Sequence, residues 1–202
     1  MKIAVYGASG MVGSRVAAEA VRRGHEVTGV TRSGGALPDG VSAVTGDAGD
    51  AMSAKVVAAA ADVVLSAIGP SRTGGDHQEY LDALRTLTEN AGDARLVVIG
   101  GAGSLLVEGV RLVDSAGFPE IYKAEALTAA QALEFFRGLG DDVDWTFLSP
   151  APVIAPGERT GEYRTGLDSP AGDQISAEDF AVALVDEIER PAHRRRRFTV
   201  AN

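Results

Sequence analysis

A chain of 202 residues, 45% hydrophobic and 23% charged, is long enough to enclose a sizeable core and polar enough at its surface for one globular domain. Its formal charge of −9 disfavours nucleic acid and anionic membranes as partners, because both would repel it overall. Cysteine is absent, which excludes disulfides and thiolate chemistry, and His25, His77 and His193 stand too far apart for a ligand spacing, so no metal is expected.

The chain opens on a short β-rich run around Ile3 and Val5 that meets Gly7, then Gly10 and Gly13. An apolar stripe of Val12, Val16, Ala17, Ala20 and Val21 follows and stops at Gly24, as a helix would. Three glycines alone are weak in a chain that holds 25, but strand, glycine turn and helix arrive here in the order a phosphate-binding unit needs. The turn requires backbone angles that a Cβ hinders, and a pyrophosphate must lie against bare N–H groups at the helix start. A dinucleotide is the first ligand to expect.

Further strands are predicted over 25–30, 41–45, 62–68, 94–99 and 144–148, and helices over 51–61, 76–91 and 120–138. Val63-Val64-Leu65 and Leu96-Val97-Val98-Ile99 are apolar without alternation, as strands covered on both faces are. The expected fold is α/β, a single Rossmann-like, doubly wound parallel sheet over residues 1–202. Pro150, Pro152, Pro156 and Gly157 mark a turn-rich passage, and 161–167, with Tyr163 and Arg164, reads as a hairpin or strand serving as a lid on the substrate side. Ser176 and Asp179 signal a last helix whose inner face is Phe180, Ala181, Leu184, Val185 and Ile188. Arg194 to Arg197 read as a solvated segment before a final strand over 197–201. With no charged-then-apolar leader and no apolar run near the ~18 residues of a membrane span, a cytoplasmic location is expected.

The Gly7-Ala-Ser-Gly10-Met-Val-Gly13 turn, Gly46-Asp47, Ile99-Gly-Gly-Ala-Gly-Ser104, Trp145-Thr-Phe-Leu-Ser-Pro-Ala151 and Ile175-Ser-Ala-Glu-Asp-Phe-Ala181 together resemble the atypical short-chain dehydrogenase/reductase superfamily. Within it the chain is most similar to small NAD(P)H-binding proteins often described as NADH-flavin reductases, relatives of flavin/biliverdin reductases and of NmrA-like proteins. The resemblance implies that Gly7, Ser9, Gly10, Met11 and Val12 wrap the pyrophosphate while Gly13 lets the helix pack close. It also implies that Asp47 meets the adenine amino group, with capping of the following helix as the competing role. Ala67, Ile68 and Gly69 end the fourth strand with residues that let the adenosine ribose and diphosphate approach, and Pro150 with Ala151, Pro152 and Val153 shapes an apolar pocket for the nicotinamide side.

An NAD site usually carries a carboxylate near the end of the second strand for the ribose 2′-hydroxyl. Here that place reads Thr31-Arg32-Ser33, and a guanidinium suits a 2′-phosphate, so NADP(H) is favoured over NAD(H). The superfamily's Tyr-x-x-x-Lys pair is missing: Tyr122 and Lys123 are adjacent, about 100° apart on a helix, and position 126 is Ala126. Ser104 stands where the superfamily keeps an active-site serine, with the ordering of a glycine-rich turn as its other role. Tyr122 is a candidate proton donor or stacking ring, Lys123 a candidate ribose contact, and His77 either a proton donor or an exposed helix-start residue.

Without that pair, the expected chemistry is hydride delivery to a small planar acceptor such as a flavin, quinone or linear tetrapyrrole, which needs proximity and stacking more than a protein acid. A non-catalytic NmrA-like sensor of NAD(P) and an NAD-dependent epimerase or dehydratase are the rival readings. Oligomerisation is left open.

Overall fold

The apolar runs lie side by side in the computed structural model, which describes residues 1–202. In chain order, β1 (Lys2–Tyr6) leads to α1 (Met11–Arg22), β2 (Glu26–Thr31), β3 (Ser42–Thr45), α2 (Ala51–Ala59), β4 (Val63–Ser66), α3 (Gln78–Glu89) and β5 (Arg95–Ile99). A small hairpin follows, β6 (Leu106–Val107) with β7 (Val110–Arg111), then α4 (Lys123–Arg137) and β8 (Trp145–Pro150). The last third carries β9 (Val153–Ala155), β10 (Arg164–Gly166), β11 (Gln174–Ser176), α5 (Ala177–Glu189) and β12 (Arg196–Ala201).

Eight strands form one sheet in the order β10-β12-β8-β5-β4-β1-β2-β3, parallel throughout except for the edge pair β10 and β12. Helical crossovers make neighbours parallel and cover both faces, which is why every residue of β4 is buried. Side-chain alternation sorts the two faces. Ile3, Val5, Leu65, Val97 and Leu148 pack with Val16 and Ala20 of α1 and Phe180 and Leu184 of α5. Ala4, Val64, Leu96, Val98 and Phe147 point the other way, onto Leu84 of α3 and Leu133 and Phe136 of α4. The Phe136 ring sits 5.6 Å from Trp145 and 5.9 Å from Phe147, centroid to centroid, and each such fully buried side chain contributes about 1.5–3 kcal/mol.

From β1 the chain winds through β2 to β3, then returns to β4 on the other side of β1 and proceeds to β5. That reversal opens a crevice outside the carboxyl ends of β1 and β4, where doubly wound folds receive ligands. No helix is long and apolar enough to cross a membrane.

Four sequence expectations are corrected. The sixth predicted strand runs on to Pro150, which pairs with Val200; proline is tolerated there because it is the strand's last residue. β9 and β11 form a separate parallel pair, Ile154 opposite Ile175, that flanking prolines had hidden. The expected lid at 161–167 is an edge strand, Arg164 opposite Ala201 and Gly166 opposite Thr199. Its Tyr163 is tied to α5, the hydroxyl donating to Asp186 at 2.5 Å. The arginine run, finally, is not simply solvated: Arg194 donates to Asp144, Arg195 to the Asp141 carbonyl at 3.0 Å, and the Arg197 side chain is 1% exposed and paired with Asp168 at 2.5 Å. β12 is buried on both faces from Arg197 to Ala201, so only Arg196 of the strand is left to water.

Candidate cofactor site

β1 delivers the chain to Gly7, whose φ of +80° is a left-handed conformation, and a Cβ there would come within 2.7 Å of the Ala67 carbonyl oxygen. Gly10 N–H donates back to Gly7 O at 3.0 Å, closing the turn. Gly13 faces the same carbonyl so closely that a Cβ would stand 2.2 Å from it, which lets α1 begin directly on the turn. Gly10 is the N-cap of α1 and offers no side-chain oxygen, and the first helical turn holds no acidic residue. By contrast α2 and α5 are capped by Asp50 and Ser176. The N–H groups at the α1 start and the positive end of its dipole are therefore left to an external anion.

Beside this turn lies a cleft of about 530 Å³ over the carboxyl ends of β1 to β4. It brings together Gly7, Ser9, Thr31, Arg32, Ser33, Asp47, Ile68 and Gly69 from the sequence-predicted set. Met11, Val12 and Gly13 open the adjoining helix, and Ala67 backs Gly7. Pro150 does not join them, being buried in β8 on the far side of β5 and β4. A second cleft of about 540 Å³ lies at the opposite edge, among Met1, Lys2, Glu26 and Asp62. It has no phosphate turn and sits at the amino ends of the strands, so size alone does not make it the site.

Arg32 is exposed at the end of β2 and has no carboxylate within ion-pairing distance, whereas most arginines of the molecule have one. Asp47 does not cap α2. Its Oδ1 accepts from Gly49 N–H at 2.9 Å, and the cap is Asp50, which accepts from Ser53 N–H at 2.6 Å. Asp47 thus stays on the cleft wall, held by its own turn. A dinucleotide fits these residues: bare N–H groups for its diphosphate, a free guanidinium at the ribose end, and a carboxylate at the base end.

The walls also carry residues the sequence reading missed, chiefly Tyr6, Arg72 and Tyr80. Tyr6 directly precedes Gly7, so its placement was inferable from strand alternation; Arg72 follows β4, inside the ligand-facing connection of any doubly wound fold. The Tyr6 hydroxyl is buried without a hydrogen-bond partner. Burial pushes its phenol up to about 12; the nearby Ser53 hydroxyl opposes that, while Asp47 and Asp50 add to it.

The catalytic candidates lie outside the cleft. Ser104 is buried in a 3-10 turn after β5 and accepts from Arg197 Nη1 at 3.4 Å, so it belongs to the Arg197–Asp168 pair. Burial lowers the Arg197 guanidinium's pKa, and the Asp168 hydrogen bond works against that. Tyr122 is half exposed at the head of α4, and Lys123 Nζ sits 3.5 Å from Glu120. His77 is not an exposed helix-start residue: Nε2 lies 2.9 Å from Ser71 O and Nδ1 2.8 Å from Thr128 Oγ1.

The sequence model of a family described as NAD(P)H-binding matches residues 7–191. Three solved structures are similar over nearly the whole length. A Burkholderia pseudomallei protein provisionally named as exported is 44% identical with a TM-score of 0.89, 100% of each chain being covered. A Bacteroides thetaiotaomicron protein provisionally named an epimerase is 35% identical with a TM-score of 0.88, over 99% of this chain and 96% of that one. A Streptococcus pneumoniae protein provisionally named an NADH-flavin reductase is 32% identical with a TM-score of 0.88, over 100% and 99%.

Proposed function

The chain belongs to the NAD(P)H-binding family, and from that premise we propose an NADPH-dependent reductase that passes hydride to a planar aromatic acceptor such as a flavin or quinone. Arg32 carries the cofactor half of this reading. It stands in the cleft without an acidic partner, and 31–33 offers no carboxylate to accept from a ribose 2′-hydroxyl. A guanidinium binds a 2′-phosphate through two parallel N–H bonds, and the Thr31 and Ser33 hydroxyls flank it.

Bound in the cleft, a reduced nicotinamide supplies the hydride. The protein's own work is binding and orientation: Gly7 to Gly13 hold the diphosphate at the α1 start, Arg32 holds the ribose end, and Asp47 meets the base. No Tyr–Lys pair is built to move a proton to a carbonyl oxygen, and the Ser104 hydroxyl is engaged by Arg197. A delocalised acceptor takes its proton from water and asks mainly for stacking, for which the exposed Tyr122 ring at the head of α4 is available. The name carried by the Streptococcus relative supports a flavin; an epimerase, the name carried by the Bacteroides relative, needs the proton shuttle this chain lacks. Because a dissociable cofactor must be re-reduced by other enzymes, we also propose a cytoplasmic location.

The test is NADPH oxidation by purified protein with FMN, quinones or biliverdin. Acceleration by at least one acceptor is expected, and no acceleration by any of them overturns the reductase. Binding of oxidised and reduced cofactor with unequal affinity but no turnover would instead identify an NmrA-like sensor, and conversion of a nucleotide sugar an epimerase.

A further inference from the structure

Two phenols stand in the wall of the cleft, Tyr6 at the end of β1 and Tyr80 in the first turn of α3, 2% and 5% exposed. Val30, Ala48 and Ala83 line the cleft with them, and all of these side chains belong to the core that packs against α2 and α3. The cleft therefore reaches down to the top of that core. Its floor is apolar, with the two hydroxyls set into it.

Tyr6 Oη has no hydrogen-bond partner. The hydroxyls of Ser66, Ser149 and Thr199 share that condition, but none of the three lines the cleft, and an aliphatic hydroxyl reaches a different neighbour by changing rotamer. A phenol oxygen lies on the axis of a packed ring, so turning the O–H moves only its proton. Its partner has to come to it, and the open side is the cleft. Burial pushes the Tyr6 phenol up to about 12, and burial alone raises that of Tyr80, so both keep their protons at neutral pH and act as donors. Asp47 stands on the same wall, close enough to Tyr6 to add to its rise. An ionised carboxylate only accepts, and beyond the Gly49 N–H that Oδ1 takes at 2.9 Å it has lone pairs to spare.

Donors beside an acceptor, over an apolar floor, are the complement of an adenine edge. There an amino donor stands between two ring-nitrogen acceptors on a flat ring. A 6-oxopurine puts an acceptor in the place of that amino group. We propose that Tyr6 and Tyr80 are specificity-determining residues that read the base, their hydroxyls donating to adenine ring nitrogens while Asp47 accepts from the amino group, so that the cleft selects adenine over hypoxanthine. This rests on the reading of the cleft as the dinucleotide site. A site built to hydrogen-bond a ligand group rejects the analogue that lacks it, because its own buried polar atoms are then left unpaired.

AMP is the probe, because it carries the base and a phosphate without the nicotinamide, and IMP is its 6-oxo counterpart. Calorimetric titration of the wild type is expected to favour AMP over IMP by at least about tenfold. Tyr6→Phe and Tyr80→Phe keep the rings in the core. Each should weaken AMP and NADH by the same factor, about threefold to tenfold, since the lost contact lies in the half that the two ligands share. Urea unfolding of the free variants should be no easier than that of the wild type. Equal wild-type affinity for AMP and IMP overturns the base reading, and a Phe variant that binds AMP and NADH like the wild type removes that tyrosine from it. NADH affinity lost without AMP affinity also overturns it, as does a lowered unfolding midpoint, which means that the hydroxyl is bonded within the protein. If the wild type binds NADH or NADPH but not AMP, the base reading alone falls. If it binds neither dinucleotide, the cofactor reading falls first and the base reading with it.

Discussion

The two ends of α1 are built on opposite principles. Its first turn carries no capping side chain and no acidic residue, and it opens beside a cleft where Arg32 has no partner. Its last turns are saturated. Glu19, 5% exposed, accepts from Arg22, Arg23 and Arg159, and Arg23 goes on to Asp186 and Glu189 of α5 at 2.7 and 2.9 Å. Asp186 in turn accepts from Tyr163, and Asp179 from Thr160, so the segment before β10 is strapped across the two helices. Charges that answer one another hold the fold; a charge left unanswered on a cleft wall is open to a ligand. The contrast assigns separate consequences to the two ends, and substitutions can separate them.

The largest effect is expected at the saturated end. Glu19→Gln leaves three guanidiniums facing an amide; Arg22 and Arg159 are exposed enough to turn to water, while Arg23 is mostly buried. A loss of about 3 kcal/mol is expected in urea unfolding, with cofactor affinity per folded molecule unchanged. A Glu19→Gln protein of full stability, or one that loses NADPH binding while folded, would break the division. Arg32→Glu is the mirror experiment. It removes a phosphate partner and adds repulsion, so NADPH affinity should fall about a hundredfold and NADH affinity only a few-fold, with the unfolding midpoint unmoved. Equal losses for the two cofactors would remove Arg32 from the 2′-phosphate site.

The same contrast predicts how the fold responds to acid. Burial would raise the Glu19 carboxyl, but hydrogen bonds from Arg159, Arg22 and Arg23 hold it well below the usual carboxylate range. Asp186 is likewise lowered, burial being outweighed by the Tyr163 hydroxyl and Arg23. A carboxyl depressed in the folded state contributes stability that is present above its unfolded pKa and lost as pH falls through the folded one. Stability should therefore hold near neutrality and drop by about 1–2 kcal/mol between about pH 5 and about pH 3, with a shallower slope in Glu19→Gln. Parallel slopes would show that other carboxylates carry the acid sensitivity.

What could be read in the sequence were features with a local signature. Gly7, Gly10 and Gly13 sit between a strand and a helix within thirteen residues, and Arg32 follows β2 directly, so the glycine-turn side of the cleft is legible in the sequence. Glu19 and Arg159 are 140 residues apart and His77 and Thr128 are 51 apart; such pairs exist only once the sheet order brings their elements together. Arg197 is an intermediate case. Phe198 and Val200 alternate with Arg197 and Thr199, and a strand covered on both faces buries both sets, so one arginine of the run goes inside and finds Asp168. The face that covers Arg197 is supplied by Ser104 and Asp168, which are distant in sequence. Pro150 was placed in the pocket for a similar reason, since a proline after an apolar run reads as a turn until β12 is seen pairing with it.

Tyr6 tests the contrast at its finest grain, because its ring belongs to the core and its hydroxyl has no protein partner. The residue is 2% exposed and packs with Ala4, Val30 and Val64, yet it also walls the cleft. If the hydroxyl serves only the fold, it is a buried polar group that went unmatched, and Tyr6→Phe should gain about 0.5–1 kcal/mol in urea unfolding by deleting it without disturbing the ring. If a ligand in the cleft satisfies it, the same substitution stabilises the free protein but weakens cofactor binding by a few-fold, and the stabilising increment of saturating NADPH shrinks accordingly. Unfolding curves of both proteins with and without NADPH distinguish the cases. A free-protein loss above about 1 kcal/mol would mean that Tyr6 Oη does have a partner in solution, such as a buried water bridging it to Ser53.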